Sequence, residues 1–203
     1  MLKSQFSPFS PAPPLRLAPT LADRLTSADS QGVRYELGRL AAGFGFAAVY
    51  GLALGTRTGG AALLKHALGA ASGLAAVALL AVPSLFVLLA LLDAPVSPRA
   101  LLATSARALA TTGFVLAGLA PSAALLVVTI ESPSAAAFIA GAGFTLAGGI
   151  GLSRFMSSAR ALLSDVPIGL RTKCSVLLFA FCLFSFALAE RVWQALPVLQ
   201  GAA

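Results

Sequence analysis

The stretch from Ala67 to Leu92 constrains this chain more than any other feature, because it is a long apolar run without one charged residue. A helix of about 20 such residues crosses the hydrocarbon core of a bilayer, and a soluble fold could not bury this run beside others like it. Four further apolar blocks follow the same pattern, at about residues 40–55, 108–130, 135–152 and 174–189. Only 10% of the residues are charged and 58% are hydrophobic, against roughly 25% charged in an ordinary soluble domain. Too few charges remain to clothe a water-exposed surface. The sequence therefore predicts an all-α, polytopic helical membrane protein with about five transmembrane helices over residues 34–203.

Residues 1–33 differ from the rest. Pro8, Pro11, Pro13, Pro14 and Pro19 break any helix before Leu21, and the apolar run of a signal peptide is missing. This segment is expected to be a mobile, proline-containing tail, with Leu21 to Ser30 forming a short surface helix. The first block is short and glycine-rich, so whether it crosses fully is open at this point.

Small residues recur at four-residue spacing, which on a helix makes a smooth face that another helix backbone can approach. Gly51 and Gly55 form such a step beside Tyr50, Gly69 and Gly73 form another, and Gly143, Ala147 and Gly151 form a longer stripe. These seven are the candidate helix-packing residues. Pro83 and Pro121 lie inside apolar blocks and are candidate helix kinks; Ser84 is placed to take up a backbone group freed by Pro83.

Five spans place Lys3, Arg16, Arg24, Arg34, Arg39, Arg99, Arg107, Arg154, Arg160, Arg171 and Lys173 on the side of the N-terminus, and Arg57, Lys65 and Arg191 on the other. Basic residues favour the cytoplasmic side, so the N-terminus is expected in the cytoplasm and the Leu196–Ala203 stub outside. A first block that only dips into the membrane would leave four spans and change this vote. The net charge of +7 is explained by membrane topology and implies no nucleic-acid partner. The expected partners are the lipid bilayer and other membrane-protein subunits or a second copy of the chain.

Chemistry is hard to find. Asp, Glu, Lys, Arg and His are missing from the centres of the blocks, where a membrane enzyme would keep them despite their cost. One histidine, His66, stands at the mouth of the second block, too isolated to serve as a base for the scattered serines. There is no GxSxG, HExxH or P-loop pattern. Cys174 and Cys182 are eight residues apart, about 12 Å of helical rise, beyond disulfide reach. They read as packing residues, as Thr111 and Thr112 read as bonding to their own helix. No catalytic, cofactor or metal site is expected.

Tyr50-Gly51-x-x-x-Gly55, Pro83-Ser84-Leu85-Phe86-Val87 and Leu119-Ala120-Pro121, set in five closely connected spans after a polar tail, resemble the Yip family (Ypt-interacting proteins) and its bacterial relatives. The resemblance covers about residues 36–195. It implies a non-catalytic membrane protein that binds other proteins or organises membrane; eukaryotic members are associated with small GTPases and vesicle traffic. The heavy use of Ala, Gly, Leu and Arg suggests a bacterium with GC-rich DNA, hence an inner-membrane protein acting as a scaffold or assembly subunit. A small permease or channel-like component is the alternative, since prolines inside spans can open substrate sites.

Overall fold

The computed structural model of the protein describes residues 32–164 and 166–195; the expectations for the tail and for the C-terminal stub lie outside them. Among the described residues the chain is all-α, with five helices long and apolar enough to cross a membrane: α1 (Val33–Gly55), α2 (Ala61–Leu91), α3 (Pro98–Thr129), α4 (Pro133–Ala161) and α5 (Ile168–Ala195). Every helix begins before the apolar block that announces it, and α2, α3 and α4 are 29 to 32 residues long. The expected boundaries marked the apolar core, whereas the helices continue into the interfacial layers through polar residues whose backbone bonds are helical all the same. The first helix begins at Val33 and not near Leu40, giving 23 residues. That length spans a hydrocarbon core.

Local chemistry sets the ends. Ser97 and Ser132 cap α3 and α4 by accepting from the Ala100 and Ala135 N–H groups, each followed by proline at the first helical position. The α1–α2 turn uses Gly59 and Gly60 at positive φ, and the turn after α2 puts Asp93 at φ 52°. The two prolines within spans behave differently. Pro83 follows a π-helical turn, Val77–Ala81, and the Ser84 hydroxyl donates to the Leu80 carbonyl at 2.7 Å. Pro121 stands inside α3 without ending it.

α1 lies between α2 and α3, and glycine sets both contacts. A Cβ at Gly51 would run into the His66 carbonyl and stand 2.7 Å from the Ala67 Cα, and one at Gly55 would stand 2.7 Å from the Leu63 Cα. On the opposite flank Gly43 meets the backbone at Leu109 and Ala110, while a Cβ at Gly113 would overlap the Gly43 backbone. α4 runs antiparallel to α3, and α5 returns along α4, with Phe155 and Phe181 in ring contact.

The buried residues form two cores. One joins Leu85 and Leu89 of α2, Leu101 of α3, Phe155 and Leu163 of α4, and Cys174, Leu178, Phe181 and Cys182 of α5. The other joins Tyr50 and Leu54 of α1, Leu74 of α2, Leu116 and Val127 of α3, and Ala140 and Ala147 of α4. α5 runs along α2, and its buried residues Cys174, Leu178, Phe181 and Cys182 belong to the first core.

Candidate functional site

The expected packing residues divide by environment. Gly51 and Gly55 make the close α1–α2 contact described above. Gly143, Ala147 and Gly151 face neighbouring helices of the same chain. Gly143 leaves room for the Tyr50 hydroxyl, Ala147 is fully buried, and Gly151 accommodates Thr112 and the Ala108 carbonyl. Gly69 is buried in α2. Gly73 departs from the expectation: it is buried, yet a Cβ there would meet nothing within 4 Å, so it borders empty space and not a helix backbone.

That empty space is a cavity of about 370 Å³ between α2, α3, α4 and α5, at the junction of the two cores. Its walls are almost wholly apolar. Gly73, Gly141, Gly148 and Gly151 supply the small surfaces that leave the void, and Phe144, Phe155, Phe181 and Phe186 supply the bulk around it. Val77, the first residue of the π-helical turn, and Val82, the residue after it, also line the cavity; such turns recur at functional sites.

Polar groups near the cavity are few. The Thr112 hydroxyl donates to the Ala108 carbonyl at 3.1 Å, and Thr111 does the same to Arg107 at 2.9 Å, so both are satisfied within their own helix. Ser105 and Ser185, also on the wall, have buried hydroxyls with no hydrogen-bond partner. In hydrocarbon no water relieves such a group.

Sequence reading missed one charged feature. Glu36 and Arg39 are only 3% and 2% exposed and form an ion pair of 3.3 Å within the first turns of α1, with the guanidinium 4.6 Å from the Tyr35 ring centroid. The blocks were expected to carry ionisable groups only at their ends, and the cue available was the opposite charges three residues apart beside a tyrosine. At the other end of the bundle the Arg57 guanidinium donates to the Glu131 carbonyl, tying the α1–α2 turn to the α3–α4 turn. His66 is held by the Ala62 carbonyl at 2.8 Å, one turn back in its own helix. Among the described residues no three His, Cys, Asp or Glu side chains come together.

The outward side of α4 carries a row of small residues, Ala142, Gly149 and Ser153, beside the exposed Phe138, Leu146 and Ile150, and a Cβ at Gly149 would meet nothing within 4 Å. Ala142 and Gly151 are nine residues apart, which places them about 180° apart around the helix. The same helix therefore carries one small-residue face used inside the bundle and a row of small residues turned outward. No known family, curated protein or solved structure matches this chain.

Proposed function

We propose that the protein is a non-catalytic subunit of the bacterial inner membrane, a scaffold or assembly component of the kind suggested by the Yip resemblance, with its N-terminus in the cytoplasm. The observation that carries this reading is the outward row Ala142, Gly149 and Ser153 on α4, a gap flanked by the exposed Phe138, Leu146 and Ile150. Lipid chains fill a shallow groove between small side chains poorly, whereas a second helix can bring its backbone into it and gain dispersion contacts along its length. The inward face of α4 already packs in this way against α3 through Gly151, so the same helix can dock on two sides.

The experiment is affinity purification in mild detergent followed by mass spectrometry, comparing the native chain with Gly149→Leu. The leucine enters open space, so folding and thermal stability are expected to stay as in the native chain while a partner helix, foreign or from a second copy, is lost. Unchanged co-purification and unchanged self-association with Gly149→Leu would remove the basis of this reading. The alternative, a small permease or channel-like component, draws on the cavity; flux through reconstituted liposomes that Gly73→Leu abolishes would favour it instead.

A further inference from the structure

We propose that the cavity between α2, α3, α4 and α5 is a binding site for one long-chain, lipid-like molecule bearing a carbonyl oxygen, with the apolar walls holding its chain and one of the two unpartnered wall hydroxyls, Ser105 or Ser185, donating a hydrogen bond to that oxygen. Three observations converge on it. The first is shape. The lining residues of α4 run from Ala137 to Phe155, 18 residues, or about 27 Å at 1.5 Å each. The site is elongated along α4 and open on one side, where Ala137 and Thr145 are exposed, which fits an extended chain lying along the bundle better than a compact solute.

The second is the pair of hydroxyls. Ser105 is 3% and Ser185 5% exposed, both belong to the wall, and neither hydroxyl has a partner. A serine in a helix ordinarily bonds to a carbonyl three or four residues back, as Ser72 and Ser84 do. Ser105 and Ser185 leave that bond unmade beside a void. A turn between staggered χ1 positions, with no backbone movement, is enough to re-aim a serine hydroxyl. The third is the π-helical turn Val77–Ala81, which sets Val77 and Val82 on the same wall.

The chemistry of the occupant follows. A charged group at this depth is costly, and the described residues on the wall include no charged side chain to offset it. An uncharged carbonyl accepts the hydroxyl hydrogen, the part of a buried serine that most needs a partner, and leaves nothing of its own unsatisfied. Phenylalanine and glycine walls suit a methylene chain.

The test uses the full chain in detergent and a hexadecanoate methyl ester carrying a photoactivatable diazirine. Labelling is expected on peptides of α4 and α5 that line the cavity. Unlabelled methyl hexadecanoate should compete roughly threefold to tenfold better than hexadecane, the worth of one ordinary hydrogen bond. Ser105→Ala with Ser185→Ala should erase that difference and leave Tm unchanged or raised, because the hydroxyls have no partner to lose. Gly73→Leu fills the void and should block labelling; if it does not elute as folded protein, Gly141→Leu serves, since a Cβ there also meets nothing within 4 Å. A diacyl phospholipid that competes as well as the ester assigns the site to bilayer lipid, and one that does not assigns it to a free long-chain molecule. Equal competition by ester and alkane in the native chain, or labelling that persists when the cavity is filled, overturns the proposal. So does a fall in Tm of the serine variants with the ester preference intact.

Discussion

The hydroxyl of Tyr50 on α1 donates to the Ala140 carbonyl on α4 at 3.1 Å, across 90 residues of sequence, and Gly143 is what makes room for it. A Cβ at Gly143 would overlap that hydroxyl and stand 2.8 Å from the carbon bearing it. The Tyr50 ring also packs edge-on against Phe144, with centroids 5.5 Å apart. One tyrosine thus joins the first and fourth spans, and its fit depends on the first glycine of the α4 stripe.

This relationship predicts a coupled pair of substitutions. Tyr50→Phe should lower stability in detergent by about 0.5–1.5 kcal/mol, the net worth of a typical hydrogen bond. Gly143→Ala should cost about 1–3 kcal/mol by overpacking. The double variant should be less destabilised than the sum, because the ring left by Tyr50→Phe no longer presents the oxygen that the new methyl meets. Additive losses in thermal or denaturant unfolding would show that the two positions do not share this contact.

Glycines at backbone crossings should be far less tolerant than glycines in open space. Gly113→Ala and Gly51→Ala each place a methyl against another helix's backbone, which cannot step aside as a side chain can. Each should lower stability by about 1–3 kcal/mol or more, read as a clear fall in Tm. Gly118→Ala meets nothing within 4 Å and should be neutral or stabilising by up to about 1 kcal/mol from helix propensity. A Gly118 variant as damaged as the other two would point to a different arrangement of α1 and α3.

The Glu36–Arg39 pair offers a test of charge at the membrane boundary. Removing one member leaves the other buried and uncompensated, which costs about 3–5 kcal/mol in comparable sites. Arg39→Leu should therefore be strongly destabilising by thermal unfolding. Glu36→Leu combined with Arg39→Leu should recover most of the loss, since no lone charge remains. A double variant no better than the single would mean that Arg39 acts through its stacking on Tyr35 and not through the ion pair.

The second and third spans were legible because more than twenty apolar residues in a row admit one solution in a bilayer, whereas the shorter first block left its crossing open until the helix was seen to begin at Val33. The ends of the spans were harder, since Arg39 and Arg99 read as flanks although the helices run through them, whereas the fourth helix was expected to continue through Arg154 and Arg160 and does. The α1–α2 contact was half visible: Gly51 and Gly55 announce a smooth face, but nothing local says that it meets His66 and Leu63. The partnership of Gly43 with Gly113 was invisible for the same reason, because each glycine taken alone is ordinary and only the three-dimensional register pairs them. Gly73 looked like a packing residue and lines a void instead; spacing tells where a surface is small, not whether anything fills it. The unpartnered hydroxyls of Ser105 and Ser185 depend on packing in the same way.

Orientation can be read with fused reporters. Antiparallel neighbours put Arg34, Arg39, Arg99, Arg107, Arg154, Arg160, Arg171 and Lys173 near one end of the bundle, and Arg57, Lys65 and Arg191 near the other. With the basic end in the cytoplasm, a reporter inserted near Ser164 should be active inside, and one fused after Ala203 only outside. The reverse at either site would contradict five crossings with this orientation.

The two sides of α4 can be set against each other in one experiment. Ala147 is fully buried against α1 and α3, so Ala147→Leu forces a branched side chain into a filled core and should cost about 1–3 kcal/mol in detergent. Ala142, five residues earlier and about 140° around the helix, is exposed; Ala142→Leu should leave thermal stability close to that of the native chain. Association should respond in the opposite sense. Ala142→Leu roughens the outward face beside Gly149 and is expected to weaken or abolish capture of a partner helix, whereas Ala147→Leu acts on a partner only so far as it unsettles the bundle. Stability lost with Ala142→Leu and kept with Ala147→Leu would mean that α4 is rotated by about half a turn from the arrangement described, with its small-residue stripe facing lipid.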